Sequence, residues 1–227
     1  MRRYAVVPTR GNRPGTLRVC LDAIAPQVDR IVLIDNSDDG SAGRELEKIG
    51  GPVDNLHTIL AAQQPPNLSR LWNLGLEHAS TDHRMDYDPE GYRIAVLNDD
   101  AIVPQHWFDI VVTAMETYGC AAGGYGSFSS GGPAVHRVAG TTRLDRRLPG
   151  YAFILDGSYG LRADEQLQWW CGDNDLDMQA REAAGTVILP GDPVRHLYPD
   201  QSTTGVLAAR TAEDMRLFVQ KWGFRPW

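Results

Sequence analysis

Ile94-Ala95-Val96-Leu97-Asn98-Asp99-Asp100 is an apolar run that stops abruptly at three polar residues. Four consecutive apolar residues, mostly branched, read as a strand buried on both faces, the kind a parallel sheet uses. Such a strand anchors the residues at its end, so the acids there are placed rather than left in a solvated turn. Upstream, Ile31-Val32-Leu33-Ile34 ends in the same way, in Asp35-Asn36-Ser37-Asp38-Asp39-Gly40. Before it, Val6 and Val7 close a first strand at Pro8-Thr9, and Leu17, Leu21 and Ile24 recur at helical spacing until Pro26. Strand, helix, strand, polar loop is the βαβ order of an open, mostly parallel α/β sheet.

The alternation continues. A short helix is expected from about Ser41 to Lys48, stopped by Gly50-Gly51, then a strand over Leu56–Leu60 and a helix from about Asn67 with Leu68, Leu71, Trp72 and Leu76 on one side. After the 94–100 stretch, Pro104 is placed to open a helix as its first residue, with Phe108, Val111, Val112 and Met115 buried. Residues 123–149 are rich in Gly, Ser and Arg with little periodicity, and read as a loop over the site. Tyr151–Leu155 and Thr186–Leu189 read as strands, and Asp173 is placed to cap a helix running to Ala184. Thr211 and Asp214 have capping-box spacing ahead of a C-terminal helix with Met215, Phe218, Val219 and Trp222 as its apolar stripe.

The chain has 227 residues and a net charge of -7. That length suits one domain with a single core, and one cleft is the natural expectation. The acidic balance opposes the attraction on which nucleic-acid binding depends, so no nucleic-acid partner is expected. Met1-Arg2-Arg3 runs into an apolar stretch ending at Pro8, too short for a signal-peptide core or a membrane-spanning helix. No integral membrane segment is expected, and the default location is cytoplasmic. Cys20, Cys120 and Cys171 are three in number and lack metal-site spacing, so they read as reduced, buried thiols. The oligomeric state is open, a homo-oligomer included.

In open α/β sheets ligands bind beyond the carboxyl ends of the strands, where Asp35–Asp39 and Asn98–Asp100 both fall. Carboxylates gathered there repel one another, and a hard cation with oxygen ligands is the usual reason to tolerate that. For Asp35–Asp39 alone, turns and helix caps are the simpler reading. No Gly-x-Gly-x-x-Gly follows the first strand, which argues against a dinucleotide-binding dehydrogenase. His196, a lone histidine on an expected strand, is by itself more often structural or solvated than a ligand.

Taken in order, Val6-Val7-Pro8-Thr9, Ile31 to Ser37, Asn67 to Gly75, Leu97-Asn98-Asp99-Asp100, Trp169-Trp170-Cys171-Gly172-Asp173-Asn174-Asp175-Leu176, His196 and Lys221-Trp222-Gly223 resemble the family 2 glycosyltransferases. The last acidic piece and the histidine after it are most similar to the galactofuranosyl- and rhamnosyl-transferring branch. The resemblance implies a GT-A, Rossmann-like fold. It implies one domain over residues 1–227, with 1–103 binding the nucleotide-sugar and 104–227 carrying the acceptor and the catalysis. The implied reaction is inverting, metal-dependent transfer of a sugar from a nucleotide-diphosphate-sugar, UDP- or dTDP-linked in preference, to an acceptor hydroxyl.

Position by position, the resemblance puts Pro8 and Thr9 along the nucleoside, Asp35 on the base and Arg70 near the base or phosphate. Asn98, Asp99 and Asp100 stand at the Asp-x-Asp motif, with Asn98 offering only a neutral oxygen. Asp100 and His196 are implied as ligands of Mn²⁺ or Mg²⁺, the imidazole leaning toward Mn²⁺. Asp173 matches the catalytic base, preceded by Gly172 where the family usually has an acid. Trp169 and Trp170 are candidates for an apolar platform under the acceptor, or for core. Asp175 is a candidate for positioning substrate, Asp177 for an ion pair or solvent, and Asp164-Glu165 for acceptor contact or capping. Two rivals remain. Pro8-Thr9-Arg10-Gly11 bears a faint likeness to the phosphate loop of sugar-phosphate nucleotidyltransferases, and a non-catalytic carbohydrate- or nucleotide-binding module is the other.

Overall fold

The computed structural model describes residues 1–86, 88–198 and 206–227. The chain opens with β1 (Arg2–Thr9), α1 (Pro14–Ile24), β2 (Arg30–Asp35), α2 (Ala42–Gly50), β3 (Leu56–Leu60), α3 (Leu68–Met85) and β4 (Tyr92–Leu97). It continues through β5 (Ala101–Ile102), α4 (Trp107–Tyr118), β6 (Ala122–Tyr125), β7 (Ala134–His136), β8 (Ala152–Asp156), α5 (Gly172–Ala183), β9 (Thr186–Leu189), β10 (Arg195–His196) and α6 (Val206–Trp222). An eight-stranded sheet runs in the order β3-β2-β1-β4-β8-β6-β9-β7, and β10 pairs with β5 in a separate ribbon. The α/β fold expected from sequence, mostly parallel with helices on both faces and a C-terminal helix, is the one observed.

The first four strands are parallel neighbours, so β1, β2 and β4 deliver their carboxyl ends to one rim. Their apolar runs are buried on both faces. Ala5, Val7, Ile31, Leu33, Ala95 and Leu97 pack with α1 and α4, and Tyr4, Val6, Val32, Ile34, Ile94 and Val96 pack with α3. Helix α3 lies close on β1 because Gly75 has no side chain; a Cβ there would fall 2.3 Å from Val6 Cγ1. Past β4 the sheet is mixed: β8 runs antiparallel to both β4 and β6, while β9 is parallel to β6.

Four expectations need correction. Helix α4 begins at Trp107, not at Pro104, because His106 adopts a left-handed conformation (φ 63°) and Pro104 lies in the preceding turn, where its carbonyl accepts from Trp107 N–H and Gln27 Nε2. Helix α6 starts at Val206, so Thr211 is interior and its Oγ1 donates to the Leu207 carbonyl. Asp214 caps no helix: its Oδ2 accepts the backbone N–H groups of Trp169 and Trp170, each at 2.7 Å. Residues 123–149 include most of β6 and all of β7, the far edge strand, and Arg181 fixes the stretch after β7 by donating to the Gly140 carbonyl. Cys20, Cys120 and Cys171 are free and buried. Among the described residues no helix is long and apolar enough to cross a membrane.

Candidate active site

A cleft of about 480 Å³ opens at the carboxyl rim of the parallel strands, within the ordinary size range of small-molecule sites. Pro8 and Thr9 from the end of β1, Asn98, Asp99 and Asp100 beyond β4, and His196 from β10 line one part of it. Trp169, Trp170, Gly172 and Asp173, around the start of α5, line another. Residues separated by more than 160 positions in the chain are thus brought to one cavity.

Asp100 is almost fully buried, and its Oδ1 stands 3.2 Å from His196 Nε2. The short β5–β10 ribbon makes this pairing, since it registers Ala101 against His196 and the Leu197 N–H donates to the Asp100 carbonyl. Asn98 Nδ2 lies 3.5 Å from the same imidazole nitrogen. Tyr151 stacks on the ring at 4.6 Å between centroids, and the Tyr151 hydroxyl donates to Asp192. Two ligands about 2.1 Å from one cation, at right angles to each other, are roughly 3 Å apart. One carboxylate oxygen and one imidazole nitrogen at the observed spacing therefore fit a shared Mn²⁺ or Mg²⁺, with the remaining positions left to ligand oxygens. Among the described residues no group of three or more His, Cys, Asp or Glu side chains forms a metal cluster.

Asp99 faces the first strand instead. Its Oδ2 accepts from Thr9 Oγ1 at 2.6 Å, and Thr9 Oγ1 in turn accepts the Gly11 N–H. Burial pushes the Asp99 carboxyl up from its ordinary value and the neighbouring Asp100 charge adds to that, while the Thr9 hydrogen bond opposes it. Asp35 is buried next to Thr9 in the sheet register but does not line the cleft. Its Oδ1 accepts from the backbone N–H and hydroxyl of Ser37, and its Oδ2 is buried with no partner among the described residues. A buried carboxylate oxygen left unpaired is costly unless a ligand donor reaches it.

Asp173 lies in the first turn of α5 rather than at its cap, which is Cys171 in a left-handed conformation (φ 63°). Its Oδ2 accepts from Arg147 at 2.7 Å. Gly172 has no room for a side chain: a Cβ there would lie 2.5 Å from Ser69 Oγ and 3.1 Å from the Trp72 ring. Trp169 and Trp170 both line the cleft and are half-buried, and Trp170 also packs edge-on to Trp227.

Two candidates besides Asp35 do not line the cleft. Arg70 is exposed on α3 and does not line the cleft; among the described residues only its backbone is engaged, donating to the Asn67 cap. Asp175 is fully buried, with Oδ1 accepting from Trp222 Nε1 and Lys221 and Oδ2 from Asp164 N–H and Gln179. The bonds from Trp222 and Lys221 tie α6 to α5, and the four together leave Asp175 no free oxygen to position substrate. Asp177 is the ion-paired residue expected, buried against Arg181. Asp164 pairs with Lys221, and Glu165 accepts from Asn73.

Arg10, Arg13, Arg147, Tyr151 and Tyr198 also line the cleft, and sequence reasoning does not mark them as site residues. Arg13 stacks over the Tyr198 ring at 4.0 Å. The one available signal is the density of Arg in otherwise unpatterned loops.

The family model described as glycosyl transferase family 2 matches residues 4–164. No curated protein gives a significant match. Among solved structures, S. aureus TarS residues 1–349 in complex with UDP-GlcNAc matches at 14% identity and a TM-score of 0.59, covering 97% of this chain and 66% of that one. The same TarS fragment without that ligand in its description matches at 13% identity and a TM-score of 0.57, covering 85% of this chain and 58% of that one. The chain thus spans less than two thirds of either relative, and at these identities the likeness shows the GT-A fold.

Proposed function

The chain belongs to glycosyl transferase family 2, and on that premise we propose that it is an inverting, metal-dependent transferase moving a sugar from a nucleotide-diphosphate-sugar to an acceptor hydroxyl. The observation that carries the reading is the convergence of the Asp100–His196 pair and Asp173 on one cleft whose first-strand wall is Pro8 and Thr9.

Asp100 and His196 would hold Mn²⁺ or Mg²⁺ together with donor phosphate oxygens, and a cation bound there supplies Lewis-acid stabilisation of the charge that gathers on the leaving diphosphate. Pro8 and Thr9 line the nucleoside, and Asp35 Oδ2, buried beside Thr9 but outside the cleft lining, is the acceptor we assign to the ring N–H of a uracil or thymine. Arg10 and Arg13 supply positive charge at the cleft wall for the phosphates. Trp169 and Trp170 give the acceptor an apolar bed. Asp173 takes the proton of the acceptor hydroxyl as its oxygen bonds to the anomeric carbon and the diphosphate departs from the opposite face. One base and one displacement invert the configuration.

The test is isothermal titration of UDP with and without Mn²⁺ against wild type and Asp100→Ala. Binding that strengthens with Mn²⁺ in the wild type and loses that response in the variant supports the reading. Equal affinity in all four cases removes Asp100 from the site. UDP-N-acetylglucosamine and UDP-galactofuranose, with dTDP-rhamnose, are the donors to try first, the last two on the likeness of residues 169–176 and His196 to their branch.

A further inference from the structure

Asp173 is cornered by groups from segments that share no motif. Arg147 and Asp173 form their 2.7 Å ion pair with both side chains largely withdrawn from water, 16% and 14% exposed. The Arg147 guanidinium lies over the Trp227 ring, 4.7 Å from its centroid. The Asn174 amide, oriented to satisfy both neighbours, presents its oxygen to Arg147 at 2.8 Å and its nitrogen to Asp173 Oδ1 at 3.3 Å. On another side is Gly150, where a Cβ would fall 2.7 Å from Asp173 Oδ2 and 3.0 Å from its Cγ. The bare backbone at 150 is what gives this carboxylate its place.

We propose that Arg147 is a positioning residue of the reaction: through Oδ2, with Trp227 behind it and Gly150 alongside, it fixes the Asp173 carboxylate so that Oδ1 receives the acceptor proton. The proposal rests on the reading of Asp173 as the base. A carboxylate turns about two side-chain bonds, and a base works only within hydrogen-bond reach of the proton it takes. An error of about 1 Å in such a group costs on the order of 10²-fold in rate. A planar guanidinium that both stacks on an aromatic ring and donates to one oxygen removes that freedom better than a flexible ammonium does. Arginine keeps its protons, so it takes no part in the transfer. The hydroxyl proton goes to Oδ1, the hydroxyl oxygen bonds to the anomeric carbon, and the carbon–phosphate-oxygen bond breaks with its electron pair leaving on the diphosphate.

The experiment measures single-turnover transfer, donor affinity and melting temperature for wild type, Arg147→Ala, Arg147→Lys, Gly150→Ala and Asp173→Asn. Arg147→Ala is expected to lose roughly 10- to 100-fold in turnover with donor affinity unchanged. Arg147→Lys should fall between it and wild type, and added guanidinium at sub-denaturing concentration should restore part of the alanine variant's rate. Gly150→Ala should lose turnover by a similar factor with Arg147 intact, because the three atoms its new carbon meets first all belong to Asp173. If Arg147→Ala melts early, Gly150→Ala carries the test alone. Wild-type turnover in the arginine and glycine variants, with Asp173→Asn inactive, overturns the proposal and leaves the base reading standing. Wild-type transfer by Asp173→Asn removes the base reading itself.

Discussion

At one end of the cleft Thr9 ends one parallel strand, with Asp35 outside the lining at the end of the adjoining one, and Asn98–Asp100 follow directly on a third. At the other end Asp173 sits in the first turn of a helix, held by Arg147 from a loop and backed by Trp227. The first end is set by strand register, in which each residue's place follows from its neighbours on the strand. The second is set by contacts between segments dozens of residues apart. Side chains of the first kind therefore depend on the sheet as a whole, and those of the second kind on a few named ion pairs and hydrogen bonds.

The buried ion pair within α5 offers the largest expected effect. Arg181 and Asp177 are 2% and 0% exposed, and Arg181 also holds the Gly140 carbonyl. Arg181→Ala strands a buried carboxylate and should lower unfolding free energy by about 3–5 kcal/mol in urea titration. A loss below about 1 kcal/mol would mean that this half leans neither on that intrahelical pair nor on the long-range bond from Arg181 to Gly140. Next in size is the unpaired Asp35 Oδ2 at the strand end. If it meets a base N–H, UDP should bind more tightly than CDP by about 1–3 kcal/mol, and equal affinities by titration would rule that role out. Smallest is the cap of α3, where Asn67 Oδ1 accepts the Arg70 N–H and Nδ2 donates to the Glu165 carbonyl. Asn67→Ala should cost about 1 kcal/mol by thermal or urea melting. A loss several times larger would show that the bond to Glu165 couples the two ends more tightly than this division allows.

The same division governs what the sequence reveals. Strands such as Ile31–Ile34 and Ile94–Leu97, and helices with stripes such as Leu17, Leu21 and Ile24, are legible because period and burial are local properties. The pairing of Asp100 with His196 is not periodic; the family resemblance carries it, and the β5–β10 ribbon, two residues a side, is too short to leave a pattern. Thr211 and Asp214 have the spacing of a cap, yet Asp214 serves the backbone of Trp169 and Trp170, which no local rule can foresee. Asp175 looks like a site carboxylate beside Asp173, but on a helix two residues along is nearly the opposite face, and there it bonds α6. Arg147 lies in an unpatterned stretch where one arginine among several carries no mark of its partner.

Everything proposed for the long-range end of the cleft turns on Asp173 as the proton acceptor, and Asp173→Asn in a single-turnover transfer assay probes that role without intermediaries. The amide nearly keeps the shape of the carboxylate but is a very poor base. The expected rate is lower by about 10²- to 10⁴-fold, with Mn²⁺-dependent UDP binding retained. Transfer near the wild-type rate would refute the role and leave Asp173 as no more than the anion at the start of α5.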